Sequence, residues 1–220
     1  MEEFEIGGKL VTIFPSSRKS PVVYLNSYSH DEGIAVWDVL TSAVNLVVIS
    51  SLDWNHDMTP WCIPPITKHS EPITGGADDY LSLLVDSIVP KAESMLGEIT
   101  WRGITGYSLA GLFSIYALYR TDVFSAAASV SGSMWFPGFV DFVRSHEMRK
   151  LPDKLYFSLG DRERKTRNEV LASVEKNTRT ISEYFKNKGI NTVFRLNPGN
   201  HFADAALRTA KAIDYLAQEE

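Results

Sequence analysis

Short runs of apolar residues alternate along this chain with longer stretches whose apolar positions recur at helical spacing. Residues 10–14, 22–25, 46–50, 99–104, 126–130, 155–159 and 192–196 read as strands. Several are nearly unbroken in Val, Ile, Leu, Phe and Ala, the pattern of strands covered on both faces, which points to a parallel sheet. Between them, 78–95 sets Leu81, Leu84, Val85, Ile88 and Val89 on one helical face. Residues 169–188 do the same with Val170, Val174, Ile181 and Phe185, and 203–218 with Ala206, Leu207, Ala210, Ile213 and Leu216. Gly189, just after Lys188, marks a helix stop. The alternation predicts an α/β fold, a three-layer α/β/α sandwich on a mostly parallel sheet, in one domain spanning 1–220. Segments 30–33, 53–76 and 131–138 read as irregular. The middle one is long for a structureless connection and is a candidate functional loop.

Composition adds exclusions. With 220 residues, 44% hydrophobic and 22% charged, the chain can bury one sizeable core. The net charge of −5 provides no basic stripe for a phosphate backbone. The cluster Arg162, Arg164, Lys165 and Arg167, interrupted by Glu163, is expected to be a solvated loop face. Cys62 is the sole cysteine, so no intrachain disulfide can form. Between Trp61 and Ile63 it is expected to pack as a small hydrophobe. The N-terminus lacks an apolar signal core, and no run approaches the roughly 18 apolar residues that cross a membrane. These features predict a cytoplasmic protein without nucleic-acid or membrane partners. Its oligomeric state stays open, a homodimer included. His30 with scattered carboxylates is too sparse for a metal site, so neither metal nor cofactor is expected.

The sharpest local signal is Gly106-Tyr107-Ser108-Leu109-Ala110-Gly111, between the apolar run 99–105 and the helix-forming stretch 112–118. G-x-S-x-G has chemical meaning in this strand–turn–helix context. The turn forces strained angles on the serine, so the positions two before and two after it must be small; Gly106 and Ala110 are. Ser108 is thereby raised at a helix N-terminus, where the backbone N–H of Leu109 can face a developing oxyanion.

On this topology the partners follow in the order serine, acid, histidine. His146 lies in a charged helical stretch and reads as surface. His201, in Pro198-Gly199-Asn200-His201-Phe202, sits between the last strand and last helix, at the sheet edge where ligands bind. The acid belongs to the loop after the penultimate strand, Gly160-Asp161-Arg162-Glu163. Glu163, three residues past the glycine, is the first choice and Asp161 the fallback. A second oxyanion donor is expected from the loop 26–33, at the Tyr28 N–H. Aromatic residues crowd the loops at Tyr28, Trp54, Trp61, Trp135 and Phe136. Trp135 and Trp61 are the candidates for lining a substrate pocket.

These motifs resemble the esterase branch of the α/β-hydrolases, which includes ferric-siderophore (enterochelin-type) esterases, feruloyl esterases and formylglutathione hydrolase. The matching pieces run through 21–25, Asp57-Met58-Thr59-Pro60, Gly75-Gly76-Ala77-Asp78, Gly106–Gly111, Ser129–Phe136 and Gly199-Asn200-His201-Phe202. The resemblance implies an α/β-hydrolase fold with little or no lid, catalytic roles for Ser108 and His201, and an acid at Glu163, although some relatives manage with a dyad. Two departures touch the oxyanion geometry: Asn26-Ser27 replaces His-Gly or Asp-Gly, and Ala110 replaces the usual glycine. The stretch Ser131-Gly132-Ser133-Met134-Trp135-Phe136 is closest to siderophore-esterase-like members, although an acidic chain is an odd match for anionic catecholates.

The expectation is a serine esterase that needs no cofactor and cleaves a small-molecule carboxylic ester through an acyl-enzyme. Sequence leaves two alternatives open: acyl transfer on the same fold, and a non-catalytic binding protein on a hydrolase scaffold.

Overall fold

The computed structural model describes residues 1–16, 19–67 and 70–218. The chain opens with β1 (Glu2–Ile6), which the apolar pattern did not predict because three of its five residues are glutamates. It pairs antiparallel with β2 (Lys9–Phe14) across Gly7-Gly8, both at positive φ, as a two-residue hairpin turn requires. Next come β3 (Lys19–Asn26), α1 (His30–Val39) and β4 (Asn45–Ser50). Residues 30–33, expected to be irregular, form the first turn of α1. The Ser29 side chain caps that turn by accepting from the Glu32 N–H at 3.2 Å. Gly33 is there for packing, not for breaking the helix: a Cβ at that position would lie 2.3 Å from Cγ1 of Val48.

The long connection holds α2 (Trp54–Asp57) and an isolated bridge, Ile63 to Ile73; its Lys68 and His69 lie outside the described residues. The bridge turns Ile63 inward and leaves Cys62 exposed, so Cys62 is not the packed hydrophobe expected. The predicted helix 78–95 is three pieces: α3 (Ala77–Leu83), a π-helical turn (Leu84–Ile88) and α4 (Val89–Glu93). Pro90 offers no N–H to the helical ladder, which is consistent with the wider turn just before it. Then follow β5 (Glu98–Tyr107), α5 (Leu109–Arg120), β6 (Ala126–Val130), α6 (Phe139–Ser145) and β7 (Lys154–Gly160). The stretch predicted at 169–188 breaks at Ser173 into α7 (Glu169–Ala172) and α8 (Val174–Asn187); the Ser173 hydroxyl and N–H both bond the Val170 carbonyl. The chain closes with β8 (Asn191–Asn197) and α9 (Ala205–Ala217).

Among the described residues the strands form one sheet, in the order β1-β2-β4-β3-β5-β6-β7-β8, parallel from β4 to β8. Successive residues of β3 serve opposite layers. Val22 and Tyr24 pack with Phe113, Phe157 and Phe185 under α3, α5 and α8, while Val23 and Leu25 pack with Val36 and Ile213 under α1 and α9. In α5 everything from Leu109 to Tyr119 is buried. The register places Asn26 beside Gly106, Tyr107 beside Val130, and Gly160 beside Asn197. Parallel strands that end in line deliver all their following loops to one edge, and the site lies there.

Candidate active site

Ser108 sits between β5 and α5 at φ 58° and ψ −121°, a left-handed conformation that L-residues rarely adopt. Its N–H donates to the Val130 carbonyl at 3.1 Å, and its carbonyl accepts from Leu112 at 3.2 Å and Ser133 at 3.0 Å, so the bend is held from three sides. A Cβ on Gly106 would lie 2.4 Å from that of Ala110, the steric reason for small residues on both sides of the serine. Leu109 opens α5, so its N–H has no acceptor within the helix.

His201, on the loop between β8 and α9, places Nε2 3.2 Å from Ser108 Oγ and Nδ1 2.8 Å from Glu163 Oε2. The network assigns the proton to Nδ1, facing the carboxylate, and leaves Nε2 to accept from the serine hydroxyl. Glu163 Oε1 accepts from the Gly160 N–H at 2.6 Å and the Ser131 hydroxyl at 2.8 Å. Burial pushes the Glu163 carboxyl upward, but its bonds to His201, Gly160 and Ser131 outweigh that and hold it below its ordinary value. The fallback acid, Asp161, does not reach the histidine; its carboxylate accepts the Gly199 N–H at 2.9 Å and braces the loop.

A cavity of about 480 Å³ opens over Ser108 and His201, lined also by Tyr28, Glu32, Trp54, Tyr107, Phe202 and Ala205. Tyr28 and Trp54 meet edge to face at 5.2 Å, and Phe202 is 87% exposed at the rim. Burial raises the Glu32 carboxyl above its ordinary value, partly opposed by a hydrogen bond from the Tyr28 N–H. The Asn26 amide oxygen accepts from the buried Tyr80 hydroxyl.

The two tryptophans expected in the pocket are elsewhere. Trp61 packs on Phe136 and Phe142 at 5.5 and 5.6 Å and donates to the Pro137 carbonyl at 3.1 Å. Trp135 borders a separate hollow with Asp141, Arg144 and Lys176. The loop 131–138 folds toward α6, sinking Phe136 to 1% exposure, so only its first residues stay near Ser108: Ser133 Oγ is 3.4 Å from Ser108 Oγ. His146 caps the C-terminal end of α6 on the surface, and the basic cluster around Arg164 is exposed. Sequence reasoning missed Ser131, Ser133, Glu32, Phe202 and Arg208. Phe202 was readable from its place next to His201; Arg208 has no local signal within an amphipathic helix.

The "Putative esterase" family model matches residues 10–205. The chain belongs to this family. Membership supports ester hydrolysis as the class of activity, on an α/β-hydrolase fold. In sequence it is similar to the uncharacterized protein YbbA of Bacillus subtilis (strain 168), 24% identical over 137 residues. That match covers 60% of this chain and 55% of the relative's length. Among solved structures, an IroE-like serine hydrolase from Shewanella oneidensis superposes with a TM-score of 0.80 at 17% identity, over 98% of this chain and 79% of the other. The siderophore hydrolase EstA from Aspergillus nidulans gives 0.75 at 19%, over 95% and 89%. An enterobactin hydrolase, IroE, in complex with DFP gives 0.67 at 22%, over 96% and 90%. At these identities the structural likeness speaks for the fold. No helix among the described residues is long and apolar enough to cross a membrane.

Proposed function

We propose that this esterase-family protein hydrolyses a small carboxylic ester by nucleophilic catalysis at Ser108. The observation that carries the reading is the unbroken relay from Ser108 Oγ to His201 to Glu163, at 3.2 and 2.8 Å, on the floor of a cavity. Ser108 Oγ attacks the carbonyl carbon as His201 Nε2 takes its proton; the same proton then passes to the departing alcohol. Water, deprotonated by His201, releases the acid from the acyl-serine. Glu163 holds the imidazole in place and stabilises the imidazolium without taking the proton. The Leu109 N–H faces the oxyanion, and the Tyr28 N–H is the second donor; each donor is worth on the order of a hundredfold in rate.

The walls favour a neutral ester with an apolar or aromatic part. Tyr28, Trp54, Phe202 and Ala205 supply the surface, Glu32 is the one carboxylate, and no Lys or Arg is among the described lining residues. Siderophore-type lactones and feruloyl esters belong in the first substrate panel because structural relatives are named for them. The reading requires no cofactor, nucleic acid or membrane, and we retain the cytoplasmic setting as part of it. A fluorophosphonate probe should label Ser108 stoichiometrically and fail on Ser108→Ala. A folded wild type that neither labels nor cleaves p-nitrophenyl acetate would end the proposal. Added alcohol, through the ester-to-acid product ratio, separates hydrolysis from acyl transfer.

A further inference from the structure

Glu163 and His201 arrive on two different loops, 161–168 and 198–204, and something must hold those loops in register. The loops bond each other directly, through Asp161 and Arg162 to Gly199, and a side chain from outside both also reaches them. Arg208, in the first turn of α9, has its side chain 3% exposed, with the guanidinium wedged behind the relay. Its Nη2 donates to the Pro198 carbonyl at 2.8 Å and its Nη1 to the Asn200 carbonyl at 3.1 Å, the residues on either side of Gly199. The same Nη1 lies 3.2 Å from Ser131 Oγ, 3.3 Å from the Tyr107 hydroxyl and 3.5 Å from Glu163 Oε1.

Two of those partners pass the constraint onward. The Ser131 hydroxyl donates to Glu163 Oε1 at 2.8 Å, and the Tyr107 hydroxyl donates to the His201 carbonyl at 2.6 Å. Arg208 thus reaches the acid directly at 3.5 Å and through Ser131, and is one bond removed from the histidine through Tyr107. The space is tight on all sides: a Cβ on Gly160 would meet the Gly199 carbonyl oxygen at 2.4 Å and Nη1 at 3.1 Å, and one on Gly199 the Ala203 Cβ at 2.7 Å and Nη2 at 3.1 Å. A planar cation with several fixed donors suits this junction of carbonyls and hydroxyls; a lysine ammonium cannot span it.

We infer that Arg208 is a positioning residue, which holds the histidine loop and the acid loop in the relative placement that proton transfer requires. The inference rests on the catalytic reading above, in which His201 is the base. Misplacement of a catalytic group by about 1 Å costs on the order of a hundredfold in rate. Arg208→Ala should therefore lower kcat about a hundredfold on an aryl ester while KM stays within a few-fold, because Arg208 is not among the residues lining the cavity.

The deciding measurements are chemical rescue and a spectroscopic signature. Guanidinium or methylguanidinium should restore a large part of kcat to Arg208→Ala, and equal concentrations of potassium chloride should not. The downfield proton on His201 Nδ1 should be visible by NMR in wild type, lost in Arg208→Ala and recovered with guanidinium. Should Arg208→Ala not fold, Arg208→Lys with a native circular dichroism spectrum carries the same test, with the kcat loss and the altered proton signal both expected. Wild-type kcat in a folded variant, or an unchanged Nδ1 proton, would overturn the inference. If Ser108→Ala and His201→Ala leave hydrolysis intact, the catalytic reading falls instead, and the proton signal still reports independently on whether Arg208 holds His201.

Discussion

Glu163 and His201 lie 38 residues apart in sequence and meet at 2.8 Å through Oε2 and Nδ1. Asp161 is nearer to the end of β7, yet its carboxylate meets the Gly199 N–H at 2.9 Å and the Arg162 guanidinium at 3.9 Å, not the histidine. The two acids should therefore respond differently to substitution. Glu163→Gln removes the charge that stabilises the imidazolium, and kcat should drop about a thousandfold or more, by analogy with serine-protease triads. Asp161→Asn keeps an oxygen for the Gly199 N–H and should retain activity within about tenfold. Comparable losses in both would remove Glu163 from its role.

The elbow predicts a steric effect. Gly106→Ala puts a methyl group 2.4 Å from the Ala110 Cβ and 2.8 Å from its carbonyl carbon. Overpacking of this kind costs about 1–3 kcal/mol. Urea unfolding should register that loss, and fluorophosphonate labelling of the folded fraction should slow as Ser108 shifts.

The aromatic residues should divide by position. Trp54→Ala and Phe202→Ala remove cavity walls and should raise KM for aryl esters several-fold with smaller changes in kcat. Trp61→Ala removes a ring packed on Phe136 and Phe142 and should lower stability by about 2–4 kcal/mol, with KM little changed. A large KM effect at Trp61 would contradict this assignment.

Acid stability follows from Glu163. Its carboxyl is held below the ordinary 4.5 in the folded protein, so the folded state prefers it ionised. The stabilisation is complete above the unfolded value and is lost as pH falls through the lower, folded value. Unfolding free energies measured from about pH 5 downward should decline in wild type, and Glu163→Gln should lack that component of the slope.

Much of this was legible in sequence because it is local or periodic. Short β-rich apolar runs located seven of the eight strands among the described residues, and Gly106–Gly111 announced its own turn. Loop position and chain order singled out His201, whose Nε2 lies 3.2 Å from Ser108 Oγ. What escaped depends on tertiary placement. The stretch 131–138 had the aromatic content of a pocket wall, but folding toward α6 took Trp135 and Phe136 away from Ser108. Arg208 looks like any polar position in an amphipathic helix, and only assembly of three loops around it reveals its partners. β1 was hidden by its acids, although Gly7-Gly8 before an apolar run was a hairpin signal in plain view.

That same strand bears on how copies of the protein meet. β1 ends the sheet, and an outermost strand with free amide and carbonyl groups is a template for another chain's strand. Glu2, Glu3 and Glu5 place carboxylates along that border, Glu3 held by Thr12 and His30 at 3.0 Å each, and like charge opposite like charge disfavours strand pairing. The residues that concealed β1 from a hydrophobicity reading are also those that set charge along this border.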